Sequence, residues 1–567
     1  MKLKLLSSLL LLSMMLVNID TSTPYIEKQT PIKKVKKQNS DFADQELNVY
    51  ICADYINDEL VEAFQEENDC IVNIYTYDTN ETMYNQFTLQ PEGTYDLICT
   101  SDYMIQRMIR ENLVQKINIS EDLPIYNKYC APSIREKIKG LLADTDNNGV
   151  KDTSLDEYAA GYMWGTLGIV YDPYCSDTIR EDVKSWDIFW DETYKDLISI
   201  KNSMRDTFVV GLMHAYKGSE ISGLEDVLTP ARNTFLSELE SAKSEEEKEA
   251  ARNKYNKVVQ DIFDLVITEE DYEPILNIVK KELISLKDNI FGFEVDSGKN
   301  DIITGKIKMN LAWSGDAVYS IDQALESDKV LEYYVPEDGS NVWYDAWSIP
   351  NKANKELACA FMEYLSTPNN AAANMDYIGY TSFIACDEVF DLITSWYGVS
   401  EYSDSTYYYQ ANEEDEIDAS LVIYNDKYYS CIKDAQGILP TNEEYFEEIS
   451  FEDAGILEEP YDLSYFFKEN GDSNRNYIVY PYDGSLNQLQ TQYPDVDTIA
   501  RCAVMNEFAD ANDAVVVMWG QVKAYTQMLP YYIVVGSTVT IAIIYFVSKA
   551  IIKNKSTRNK RRLESIK

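Results

Sequence analysis

Histidine is almost absent, with one residue, His214, in 567. That excludes metal centres built on spaced histidine pairs. His214 lies in the apolar run Val209 to Tyr216, as a buried structural side chain would. Equally missing are a Gly-x-Ser-x-Gly elbow and a glycine-rich phosphate loop, so the usual marks of hydrolase and nucleotide chemistry are not there. The nine cysteines form no Cys-x-x-Cys pair and no zinc spacing. Their odd number leaves at least one unpaired, which fits scattered core or strand cysteines better than a disulfide scaffold. Positive charge is scarce as well: 50 Lys and Arg stand against 96 Asp and Glu, a formal net charge of -46. A chain so acidic lacks the basic footprint of a nucleic-acid binder. It suits cationic partners, although an acidic surface also serves solubility alone. Acidic pairs are everywhere and nothing singles out a catalytic dyad, so the chain reads as a binding protein, not an enzyme.

What is present begins at the ends. Lys2 and Lys4 precede a mostly apolar run from Leu5 to Val17, the length of a signal h-region. No clear cleavage site follows, so 1–20 reads as a signal peptide or a signal anchor. Leu529 to Ser548 carries no charge over 20 residues, and eight basic residues against one acidic follow from Lys549 to Lys567. This predicts a transmembrane helix over 529–552 and a basic cytoplasmic tail over 553–567, with the bulk of the chain extracellular or periplasmic.

Between the ends, 21–45 is a polar tether with a Lys-Lys-Val-Lys-Lys cluster. Then strands and helices alternate: Leu47–Cys52, helix Asp58–Glu67, Ile71–Tyr77, helix Glu81–Leu89, Tyr95–Cys99, helix from Met104. Such alternation predicts an α/β fold with a parallel sheet, whose ligands bind at the carboxyl ends of strands. Tyr162–Tyr171 is a further strand, Lys184–Trp190 starts a helix, and Ser199–Phe208 crosses a loop to a helix N-terminus. Leu224–Val266 reads as a helical hairpin, solvent-exposed where Ser241–Lys257 is most charged. The stretch 400–459 is an acidic insertion and not a domain.

Two segments carry chemistry. Asp144, Asp146, Asn148 and Asp152 place oxygen ligands around Gly149, like the first part of an EF-hand loop, but Leu155 stands where the twelfth-position ligand belongs. A structural calcium and a plain polar turn both fit. Ser340–Pro350 sets Trp343, Tyr344 and Trp347 around Asp345. Read alone, it is either a core strand or an aromatic wall beside a fixed anion, suited to a cation with an apolar body.

Other segments bear on that choice: Tyr50–Tyr55, Tyr77–Tyr84, Tyr95-Asp96-Leu97, Ser101-Asp102-Tyr103, Tyr162–Thr166, Arg205-Asp206, Trp313–Ala317, Trp343-Tyr344-Asp345, Ile378-Gly379-Tyr380 and Tyr493-Pro494-Asp495. In order and spacing this set resembles the spermidine/putrescine-binding proteins of polyamine ABC transporters, bacterial extracellular solute-binding proteins, from about Val49 to Tyr380 and again from about Tyr493 to Tyr525. The resemblance implies a two-lobed periplasmic-binding-protein-like fold with a crossover hinge, 46–160 and 345–395 forming lobe 1 and 161–344 with 460–527 forming lobe 2 and the return. It implies a polyamine in the cleft, Asp345 and Asp206 as ammonium anchors, Tyr55, Tyr103, Trp313, Trp343 and Tyr380 as walls, and Ser101 as a hydrogen-bond acceptor. Cys52 and Ser203 stand where relatives carry a tryptophan and a carboxylate. No cofactor is required, and the implied partners are a permease and an ATPase encoded elsewhere. A binding protein for another solute, and an anchored extracellular sensor, are the alternative readings.

Overall fold

The structure is a computed structural model that describes residues 42–145, 150–268, 271–295, 297–403, 408–411, 419–471, 475–525 and 543–549. Its centre is a mixed sheet. Across it the strands run Ile71–Tyr77, Glu46–Cys52, Leu97–Ser101, Ser340–Ser348, Ala159–Tyr171, Met309–Trp313, Ile198–Lys201 and Gly292–Glu294. Glu46–Cys52 pairs in parallel with both of its neighbours. Ser340–Ser348 runs antiparallel to Leu97–Ser101 and to Ala159–Tyr171.

The first half of this architecture follows from local signals. Asn57 caps the helix Asp58–Asn68 by accepting from the Glu59 N–H, and Leu60, Val61 and Phe64 lie on its buried face, as their spacing predicts. Thr79 caps Asn80–Leu89 in the same way, accepting from Thr82. The third strand begins at Leu97, not Tyr95. Just before it, the Asp96 N–H donates to the Asn48 carbonyl at 2.8 Å while its carboxylate accepts from the backbone N–H groups of Asn48 and Asn354.

Every residue of Ala159–Tyr171 is buried, and the strand serves two cores, Val170 of its second half still facing the first. Tyr162, Met163 and Trp164 belong to a cluster with Tyr50, Ile98, Phe361 and Phe390. Leu167, Ile169 and Tyr171 belong to a second, with Trp186, Phe208, Val279 and Leu311. Partners change at the same point. Ala159–Thr166 pairs with Ser340–Ser348, and Leu167–Tyr171 with Met309–Trp313.

Several expectations need correction. Ile198–Lys201 is a strand rather than a loop, seated between Met309–Trp313 and Gly292–Glu294. Lys184–Trp190 forms a short 3-10 turn over Trp186–Trp190, capped by Ser185, because Trp186 and Phe189 are pulled into the second core. The helical hairpin exists as Leu228–Ser241 and Glu245–Phe263, but Tyr255, Val259 and Phe263 are buried. Burial in 460–527 is divided, with Leu463, Phe466 and Tyr493 in the first cluster and Phe508, Val515 and Trp519 in the second. Within the acidic insertion, Leu421–Tyr424, Lys427–Cys431 and Phe446–Ile449 form an antiparallel sheet over a small core of Tyr409, Val422, Tyr429 and Phe446.

His214 is held between Asp187, 2.7 Å from its Nδ1, and the face of Trp190 at 3.7 Å. Among the described residues no helix is long and apolar enough to cross a membrane. The stretch 529–552 lies outside them except for 543–549, which is helical. The signal stretch, nearly all of the tether, and the basic tail also lie outside.

Trp164 is fully buried at the hand-over between the cores, its ring stacked on Phe466 at 6.0 Å. Trp164→Ala is predicted to cost about 3–5 kcal/mol, read as a lowered denaturant midpoint at unchanged slope. A loss under about 1 kcal/mol would mean that the strand is held by its backbone pairing instead.

Candidate functional site

The residues singled out by the sequence sit where strands give way to helices. Ser101 ends Leu97–Ser101 and opens the helix Asp102–Arg110. Trp313 ends Met309–Trp313 and opens Ser314–Leu325. Asp206 lies in the first turn of Met204–Tyr216, where Ser203 accepts from its backbone N–H at 3.4 Å. Asp345 faces Ser101 across the ladder, and the register of its strand against Ala159–Tyr171 shifts just after it. A bulge at that point re-aims the side chains on either side.

Asp345 is held by neutral donors. Tyr55 Oη donates to Oδ2 at 2.9 Å and Ser101 Oγ to Oδ1 at 2.6 Å. Ser101 in turn accepts from Asn80 Nδ2 at 2.9 Å. Its acceptor capacity therefore serves Asn80, and its proton serves Asp345. Tyr55 meets Tyr380 edge to face at 5.4 Å, and Tyr380 meets Trp343 at 5.7 Å. Two glycines make room for these rings. A Cβ on Gly165 would come within 2.6 Å of Trp343, and one on Gly315 would meet the Tyr380 ring.

Asp206 is buried with the Trp313 indole as a hydrogen-bond partner. It lies near enough to Asp345 for its charge to raise the Asp345 carboxyl. Tyr103 is turned to a different task. Its hydroxyl donates to Glu81 Oε1 at 3.0 Å, and the Arg205 guanidinium covers its ring at 3.7 Å.

Burial pushes the Asp345 carboxyl up to about 6; the Ser101 and Tyr55 hydrogen bonds pull it down, and Asp206 adds to the rise. Burial also raises Asp206, against the hydrogen bonds from Ser203 and Trp313 and the charges of Lys201 and Arg205. Asp316 behaves oppositely. Burial would raise it, but Lys201 at 2.9 Å and Lys299 at 3.2 Å hold it below the ordinary carboxylate value.

The structure thus brings Tyr55, Ser101, Trp343, Asp345 and Tyr380 into one connected group, and Trp313 with Asp206 into an adjoining one. Tyr103 joins them through Arg205, beside Asp206, and through Asn80, which donates to Ser101. Sequence reasoning missed Asn80, Glu81, Lys201 and Arg205 as parts of the site. It also left without a role Asp316, which accepts from Tyr380 Oη at 3.1 Å. Of the calcium-loop residues, Asp146 and Asn148 lie outside the described residues, while Asp144 and Asp152 lie within them.

The sequence matches the bacterial extracellular solute-binding protein family over residues 59–386, more than half of the chain. The chain belongs to that family. Among named relatives, the spermidine/putrescine-binding periplasmic protein of Salmonella typhimurium is 25% identical over 337 residues, covering 59% of this chain and 76% of the relative. The putrescine-binding periplasmic protein PotF of Escherichia coli is 23% identical over 347 residues, covering 59% and 77%. A crystal structure of the spermidine/putrescine ABC transporter substrate-binding protein PotD from Streptococcus pneumoniae superimposes with a TM-score of 0.47 at 20% identity, covering 85% of this chain and 99% of that one.

The raised Asp345 carboxyl has a consequence for stability. Between its ordinary 3.8 and about 6 the folded chain keeps a proton that the unfolded chain has released. Stability from this group is full below about pH 4 and is lost as pH rises to 6, on the order of 3 kcal/mol. Asp345→Asn does not ionise and is predicted to gain on wild type across that window, in denaturant titrations at pH 4, 5, 6 and 7. A difference independent of pH would contradict the assignment.

Proposed function

We propose that the chain is the membrane-anchored extracellular solute-binding component of an ABC importer, and that it captures a polyamine, spermidine or putrescine, in a cleft between two lobes. The observation that carries this reading is the pairing of Asp345 with Asp206. Among the described residues neither carboxylate makes an ion pair with a lysine or arginine, and both stand beside aromatic rings.

A polyamine is a row of ammonium charges separated by methylenes. Its charges need carboxylates, since an unpaired buried ion costs several kcal/mol. Its methylenes need apolar faces that tolerate charge, and each cation–π contact adds roughly 0.5–2 kcal/mol. Tyr55, Trp343 and Tyr380 offer such faces near Asp345, and Trp313 offers one near Asp206. The names of the relatives agree with this ligand class and with a binding, not a catalytic, role.

Asp345 and Tyr55 lie with the first core, and Asp206 and Trp313 with the second. A ligand on both carboxylates would therefore bridge them and favour the closed arrangement. The uncharged run 529–548 and the basic residues after it support a tether to the membrane. One span cannot form a translocation path, so a separate permease and its ATPase are the partners.

Calorimetry on the 567-residue chain tests the reading. Spermidine or putrescine should bind, and Asp345→Asn should weaken binding at least about 30-fold, the lower end for breaking a buried charge pair. Binding should also weaken as pH falls through about 6, where Asp345 takes up its proton. A chain that binds a neutral sugar and no polyamine would sink the proposal.

A further inference from the structure

The site already contains an ammonium group of its own. Lys201 ends the strand Ile198–Lys201, and its side chain is 1% exposed. Its Nζ donates to Asp316 Oδ2 at 2.9 Å and to the Val295 carbonyl at 3.0 Å, with Glu294 Oε1 at 3.7 Å. The same nitrogen lies 4.5 Å from the centroid of the Trp313 ring. Burial alone would lower its pKa, but Asp316 and Glu294 hold it above the ordinary lysine value, so it stays charged.

This is more than an ion pair in a core. Trp313 is also the hydrogen-bond partner of Asp206, and Asp316 is the acceptor for Tyr380, the ring that stands between Tyr55 and Trp343. One lysine therefore occupies an acid and an aromatic face that both belong to the walls of the site. The charges then sort themselves. Lys201 and Lys299 balance Asp316 and Glu294, and Arg205, which also acts on Asp206, is shared with Glu81 and Asp102. Asp345 and Asp206 make no ion pair of their own among the described residues and are left as the acids a ligand can neutralise. Two ammonium groups neutralise that pair. A third would arrive where a lysine already covers the tryptophan and already holds the acid.

We propose, resting on the polyamine reading above, that Lys201 is a built-in cation that makes this site select a diamine over a triamine. Exclusion acts through charge, because the lysine repels a further ammonium and has taken its counter-ion, and not through the length of the ligand.

Calorimetry on the 567-residue chain with three ligands tests this: putrescine, spermidine, and 1,8-diaminooctane, which keeps the length of spermidine with a methylene in place of its middle nitrogen. Wild type should bind putrescine, and also 1,8-diaminooctane, at least about tenfold more tightly than spermidine. In Lys201→Met the putrescine-to-spermidine ratio should fall at least about tenfold, and in Lys201→Arg, which keeps the charge, it should hold. Wild-type data suffice to overturn the proposal if spermidine binds as well as putrescine, or if 1,8-diaminooctane binds as weakly as spermidine, since length would then be the filter. An unchanged ratio in a Lys201→Met chain with a wild-type melting temperature would overturn it too. If wild type binds none of the three amines, the polyamine reading itself fails, which is a different result from binding them in the wrong order.

Discussion

Two carboxylates held near one another in a poorly solvated place are expensive, and the arrangement of the candidate site follows from that expense. Neutral donors meet part of it. Tyr55 and Ser101 direct their protons to Asp345, and Ser203 and the Trp313 indole support Asp206. Such donors stabilise an anion without cancelling its charge. Asp316, a few ångströms beyond Tyr380, is instead neutralised by two lysines. The fold therefore treats acids of one chemical type in two ways, and only the first way leaves something for a ligand to do.

The rings that line these acids depend on features far smaller than themselves. Trp343 lies across Gly165, and Tyr380 lies against Gly315, where a single Cβ would displace either ring. Gly165 sits next to the point at which Ala159–Tyr171 passes from one core and one partner strand to the next. The Trp343 ring of the site occupies the space that the missing side chain of Gly165 leaves there. Packing and binding geometry are set at that place by the same residues, so a substitution there would disturb both.

Much of the fold between 46 and 111 was legible because helical spacing and apolar strands agree there with tertiary packing. Leu60 and Phe64 do what their positions suggest, and the caps Asn57 and Thr79 hold the same helices. Ile198–Lys201 was not legible, since four residues ending in lysine carry no strand period and the strand exists through its neighbours. The insertion offered a signal that composition hid. Asn425 and Asp426, both with positive φ, make a two-residue turn that joins Leu421–Tyr424 to Lys427–Cys431. The acids and rings of the site were legible as a family pattern. Lys201 was not, because a lysine reads as solvated until burial shows otherwise.

The surplus of acid over the whole chain cannot replace what these few groups do. A net charge of -46 draws cations toward the surface and raises their local concentration. Beyond about 8 Å at physiological ionic strength it is screened, and within that range it attracts a trication more strongly than a dication. Any preference for fewer charges therefore works against the long-range field and has to be imposed at short range. An ammonium fixed to the backbone does this. It stands inside the screening distance, in a place that burial has stripped of competing water, and it acts only on a ligand that has already entered.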